Sequence, residues 1–223
     1  FCDRGTRAAI SAYTGVGGNC MNVLDLTCKN SVSFSQNRKK SSQTLYVGGV
    51  EDFISCLYFE IPPHIYGKVI ESARLILYKY PVSAFEQYNS KYGAAYKCSA
   101  PCDDSHDDCC PANLIVCPLL EFFSKYSPCY SIPRTDAGKT VICPIEERLC
   151  YTEIDISQIA KQWIQNTLDN RGLLLKGCCT DRIVSYASEK EPDGGLRPTM
   201  RLTYRDPGQL SCVPCIVSVN NAQ

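Results

Sequence analysis

Sixteen cysteines in 223 residues, with adjacent pairs at Cys109–Cys110 and Cys178–Cys179, constrain this chain more than any other feature. A reducing compartment would keep such thiols free or bind them to metal, whereas an oxidising one turns them into cross-links. The count is even, so complete pairing is possible. A chain this long can bury an adequate core without disulfides. Its cysteines therefore point to durability, or to links between subunits, rather than to folding itself. The resulting expectation is a covalently hardened extracellular protein.

Charge narrows the partners. Lysine plus arginine equals aspartate plus glutamate at 23 each, so no net field steers the chain to nucleic acid or acidic lipid. Near-zero charge also removes a barrier to self-association. No apolar run is long enough for a membrane span. Phe1 rather than Met stands first and no leader pattern is present, so a leader has been removed or the start lies outside this sequence. The absence of any Asn-x-Ser/Thr sequon favours a bacterial source.

Strand patterns dominate the reading. They fall at Thr44–Gly49, at Ser55–Ile61 before Pro62-Pro63, and at Ala73–Tyr80 before Pro81. Further strands are expected at Leu173–Lys176, Ile183–Ala187 and Thr199–Tyr204, the last alternating cleanly. Ile156 through Leu168 instead places Ile156, Ile159, Ala160, Trp163 and Ile164 on one helical face. Asp155 or Ser157 is its expected cap, and Asn170 to Gly172 its end. Trp163, the single tryptophan, is expected to pack this helix across one end of the fold. Residues of about 85–150 are rich in cysteine and proline and read as a long insertion stapled by disulfides.

Six fragments in order resemble the DNRLRE (disaggregatase-related) domain of bacterial secreted and surface proteins. They are Leu45-Tyr46-Val47-Gly48, Tyr58-Phe59-Glu60-Ile61-Pro62, Ala73-Arg74-Leu75-Ile76-Leu77-Tyr78, Asp155-Ile156-Ser157 with Trp163, Asn170-Arg171-Gly172-Leu173-Leu174-Leu175-Lys176, and Arg197-Pro198 with Tyr204. The resemblance implies an all-β, jelly-roll β-sandwich with one short helix, usually non-catalytic and in some cases linked to polysaccharide binding. A single domain is expected over 1–205, while the stapled insertion and the tail 206–223, a candidate contact between subunits, depart from the family pattern. The family is commonly cysteine-poor, a pattern from which this chain departs.

Candidate chemistry is sparse. Cys98-x3-Cys102-x3-His106-x2-Cys109-Cys110 holds enough soft ligands for zinc, and Asp103, Asp104, Asp107 and Asp108 suit calcium. The spacing matches no standard finger, and the cysteine density favours oxidation, so no metal or cofactor is expected. His64 and His106 accompany no nucleophile motif, Gly15-Val16-Gly17-Gly18 reads as a turn, and Glu146-Glu147 diverge if extended. Tyr88, Tyr92 and Tyr96 recur at helical spacing and either stack on sugar rings or pack under the insertion.

Cysteines outside the closed sandwich carry the sharpest expectation. Cys2, Cys212 and Cys215 are candidates for bonds to a neighbouring subunit, the alternative being an internal clamp. Ile216-Val217-Ser218-Val219 has strand character and suits addition to another subunit's sheet edge. The remaining thirteen, Cys20, Cys28, Cys56, Cys98, Cys102, Cys109, Cys110, Cys117, Cys129, Cys143, Cys150, Cys178 and Cys179, are expected to be structural bridges. Neighbouring cysteines are expected to bond different partners. The leading expectation is a secreted subunit that polymerises with identical copies into a fibre, appendage or coat on a bacterial cell or spore. Polysaccharide binding is the alternative.

Overall fold

A computed structural model describes residues 21–35, 40–41, 43–49, 52–80, 113–124, 132–146, 148–178 and 183–208. Its strands are β1 (Asn22–Thr27), β2 (Asn30–Phe34), β3 (Lys40–Ser41), β4 (Thr44–Gly48), β5 (Ile54–Tyr58), β6 (Val69–Tyr78) and β7 (Asn113–Pro118). They continue with β8 (Val141–Pro144), β9 (Tyr151–Asp155), β10 (Leu173–Cys178), β11 (Ile183–Ala187) and β12 (Thr199–Arg205). Among the described residues one α-helix, α1 (Ser157–Ile164), interrupts them.

Two antiparallel sheets face each other, in the order β1-β12-β6-β9 and β3-β2-β5-β10-β7-β8. Eight of these strands, β1-β12-β6-β9 opposite β5-β10-β7-β8, form a jelly roll, and the β2–β3 hairpin extends its second sheet. Alternation explains the packing. Leu26, Met200, Leu202, Ala73, Leu75, Leu77 and Ile154 point inward from the first sheet and meet Leu57, Leu173, Leu175, Leu114 and Val116 from the second. The six-stranded sheet is also buried on its other face, where Val32, Phe34, Ile54, Cys56 and Leu174 pack with Leu119 and Phe123. A strand buried on both sides needs a continuous apolar run, which is why Leu173-Leu174-Leu175 does not alternate.

The small sheet β4-β11 closes one flank. Serine hydroxyls attach it to β2 and β5 in place of a main-chain ladder. The Tyr46 N–H donates to Ser33 Oγ at 2.8 Å, Ser55 Oγ donates to the Tyr46 carbonyl at 2.8 Å, and the two hydroxyls lie 2.6 Å apart. On the other side, the Tyr80 N–H donates to the Ser185 carbonyl, tying β11 to the end of β6. Both Ser33 and Ser55 are fully buried. Ser33→Ala would leave the Tyr46 amide without its acceptor and should destabilise the fold by about 1–3 kcal/mol. Amide exchange at Tyr46 should accelerate in that variant.

Two expectations need correction. The helix ends at Ile164, not Leu168, because Asn166 takes a left-handed φ of 56°. Asn170 to Gly172 instead forms the turn that leads into β10, and Asp155 receives the first-turn amide of Ser157 at 2.9 Å. The region around 85–150 is not simply an irregular stapled insertion. Residues 113–118 form β7, which lies between β10 and β8 in the larger sheet, and 141–144 form β8. Main-chain ladders and the buried side chains of Leu114 and Val116 hold this part, without a bridge at Cys117 or Cys143.

Candidate assembly surface

The interior cysteines do not staple the sandwich. Cys28, Cys56, Cys117 and Cys143 are free thiols, which corrects the expectation that each is a structural bridge. Register gives the reason. Val32, Cys56, Leu174 and Cys117 line up across four strands, so Leu174 separates Cys56 from Cys117. Two strand spacings place their backbones roughly 10 Å apart, beyond the reach of a disulfide. Cys143 lies opposite Leu114. Cys28 donates to the carbonyls of Asn30 and Tyr58 at 3.2 and 3.5 Å. Cys150, exposed just before β9, is disulfide-bonded.

Burial makes the core thiols inert. Desolvation pushes both Cys28 and Cys56 up from an ordinary 9.0 to about 12. It does the same to Tyr186, from 10.0 to about 12, although the Thr152 hydroxyl 3.1 Å away works against it. An acid with a raised native pKa keeps its proton longer in the folded state. Its stabilisation is therefore complete below its unfolded value and is lost as pH rises through the native one. The urea midpoint should fall from pH 9 towards 12, and Cys56→Val should flatten that fall.

The outward face of the first sheet carries a cross-strand row of charges, Asp25, Arg201, Arg74 and Asp155. Arg201 grips Asp25 through two bonds of 2.7 and 2.8 Å. Arg74 faces Asp155 at 3.4 Å and Glu153 at 3.9 Å. The Ser157 hydroxyl and amide, then Arg74 and Lys161, hold Asp155 below its usual carboxylate value. Pairs this exposed add little stability, but they leave the face without a concentrated charge of one sign. Four residues along β6 from Arg74, Tyr78 meets Tyr151 at a tilt with ring centroids 6.2 Å apart.

The strand edges differ sharply in how they are closed. β3 has only two residues, and β8 is short and ends in Pro144. The Cys143 thiol reaches the Glu153 carbonyl on β9 at 3.7 Å. β1 is different: it has six residues, no proline and constant register against β12. The Cys28 amide bonds to Pro198, so every second residue counting back from Cys28 faces β12. The main chains of Val23 and Thr27 consequently face away from the sheet and meet no other strand among the described residues. Met21 and Val23 are each 52% exposed along this edge.

Several sequence-derived candidates lie outside the described residues. They include Cys2, Cys20, Cys98, Cys102, Cys109, Cys110, Cys129, Cys179, Cys212 and Cys215, with Tyr88, Tyr92, Tyr96, His106 and the neighbouring aspartates. Cys178 ends β10 opposite Asn113. His64 occupies an exposed 3-10 turn. Among the described residues no group of three or more His, Cys, Asp or Glu side chains is placed to hold a metal. No described helix is long and apolar enough to cross a membrane. Sequence reading missed the β1 edge, although the alternation of Asn22-Val23-Leu24-Asp25-Leu26-Thr27 was available to find it.

No family model matches the chain, and no curated protein matches it.

Proposed function

We propose that this chain is a non-catalytic extracellular structural subunit, joined to identical copies in a disulfide-cross-linked fibre, appendage or coat on a bacterial cell or spore. The observation that carries the reading is the division among its cysteines. Four sit as free thiols in or beside a sandwich that packs without using them, leaving twelve for oxidation elsewhere. Bridges that the core does not need suit resistance to heat, drying and proteases. The zero net charge removes a barrier to self-association. The resemblance of six sequence fragments to the DNRLRE family supports a surface module. Replacing Cys2, Cys212 and Cys215 together with serine tests the covalent contact. High-mass species on a non-reducing denaturing gel should be lost, and their persistence would reject these three residues as the links.

Polysaccharide binding is the second reading, favoured by the Tyr78–Tyr151 pair on the sheet face that also carries the arginine and carboxylate row. Aromatic faces stack on sugar rings while planar charged groups engage hydroxyls. Retention of the wild-type chain on an insoluble polysaccharide, lost in Tyr151→Ala, would support it.

A further inference from the structure

We propose that the Asp206–Pro207 bond is a self-processing site, at which Lys68 displaces Pro207 and becomes joined to Asp206 by an amide bond. The proposal goes beyond the structural-subunit reading and does not depend on it. Strand register brings the groups together. Arg205 at the end of β12 pairs with Val69 at the start of β6, so Asp206 and Lys68 are the next positions along the two strands. The Lys68 ammonium donates to Asp206 Oδ1, and the two side chains form an ion pair. Opposite charges at such a cross-strand position attract. The neighbouring Arg205 pairs with Glu71 at 2.6 Å. Pro207 and Gly208 follow in an exposed turn, with Gly208 at φ +90°. Proline followed by glycine suits such a turn, and it puts the departing end of the chain on the surface.

Proline decides the chemistry. An aspartate before most residues cyclises when the next amide nitrogen attacks its side chain, a route closed here because Pro207 has no N–H. The Asp206 carboxylate acts instead as an oxygen nucleophile on its own main-chain carbonyl. An Oδ2–C bond forms, the bond from that carbon to the Pro207 nitrogen breaks, and a cyclic anhydride results. The nitrogen leaves as an amine after taking a proton from the Lys68 ammonium. Neutral Lys68 Nζ then attacks Cγ, the carbon that carries the oxygen it already contacts. The Nζ–Cγ amide forms, the Cγ–Oδ2 bond breaks, and its electron pair stays on the new α-carboxylate. The proton lost from Nζ passes to the Pro207 amine. One amide replaces another, so no water, oxidant or cofactor is consumed. Holding the amine at the carboxylate gives it the effective concentration to compete with water. The product ties the start of β6 to the end of β12 and leaves Pro207 as a new amino terminus.

Mass separates this reaction from simple hydrolysis. The full-length chain would be kept folded in mildly acidic buffer, then reduced, denatured and weighed by mass spectrometry. Reduction removes any bond through Cys212 or Cys215 that would hold the tail to the body. Wild type should give the peptide Pro207–Gln223 and a body, residues 1–206, lighter by one water than its hydrolysed form. Fragmentation should recover Lys68 and Asp206 in one branched peptide. Lys68→Arg keeps the positive charge but loses the nucleophile, so its body should carry the full hydrolysed mass. Pro207→Ala should stay whole. Wild type unfolded in urea, where register no longer holds Lys68 at Asp206, should also lose the lighter body. A folded wild type that stays whole, or whose body carries the hydrolysed mass, would overturn the proposal. A water-deficient body from Lys68→Arg would overturn it too. None of these results bears on links between subunits, which the reduced sample no longer holds.

Discussion

Trp163→Ala should destabilise the fold by about 3–5 kcal/mol, the cost of emptying a fully packed aromatic site. Trp163 is 1% exposed and sits in the main core with Ile156, Ile159, Ala160 and Ile164 from the same helical stretch. Helix α1 is only eight residues long and cannot persist on its own propensity. Its ring-bearing face is what holds it against the sheets, so truncation should release the helix as well as open a cavity. Among the described residues the indole N–H has no hydrogen-bond acceptor. Bulk rather than polarity is therefore the contribution, and Trp163→Phe should recover most of the loss. Urea midpoints of the three proteins would check this ordering.

Gly172→Ala should have a comparable effect through the backbone. Gly172 has φ +102°, a conformation that strains L side chains, and an added Cβ would lie 2.3 Å from the Leu57 carbonyl oxygen. Strain of this type costs about 1–3 kcal/mol, and displacement of Leu57 adds to it by disturbing the β5–β10 pairing. Asn170 fixes the same turn, donating to the Phe59 carbonyl at 2.8 Å and accepting the Gly172 amide at 3.2 Å. An alanine at 172 must break this arrangement or push β10 out of register. A loss of about 3 kcal/mol or more in urea unfolding is expected, whereas Gly67→Ala, with nothing near its added Cβ, meets no such clash.

These positions show which parts of the fold can be read from sequence. The helix face from Ile156 to Ile164 and the strands at β4, β6, β11 and β12 carry strong periodicity, and they appear where that periodicity places them. Strand β2, Asn30-Ser31-Val32-Ser33-Phe34, does not look half-buried by composition, because its inward residues are serines. The Ser33 hydroxyl is useful only once β4 is alongside, and that of Ser31 only once Glu189 is, tertiary facts that no local pattern carries. Strand β7 was hidden for a different reason. Asn113-Leu114-Ile115-Val116-Cys117-Pro118 is short and sits among cysteines and prolines, so its neighbours suggested a stapled loop. Cysteine count likewise says nothing of which thiols meet. Cys56 and Cys117 share a face and are still kept apart by Leu174, which only the register reveals. The tail and terminal cysteines remained an argument from chemistry. What the fold adds is the border position of β1, in constant register with β12.

The central claim is a covalent assembly of identical subunits, and a denaturing gel of native material, boiled with and without thiol reductant, tests it most directly. High-mass species that collapse to the 24.8 kDa chain only with reductant are the predicted result. A single monomer band in both lanes would contradict it, leaving the remaining cysteines to bridges within one chain.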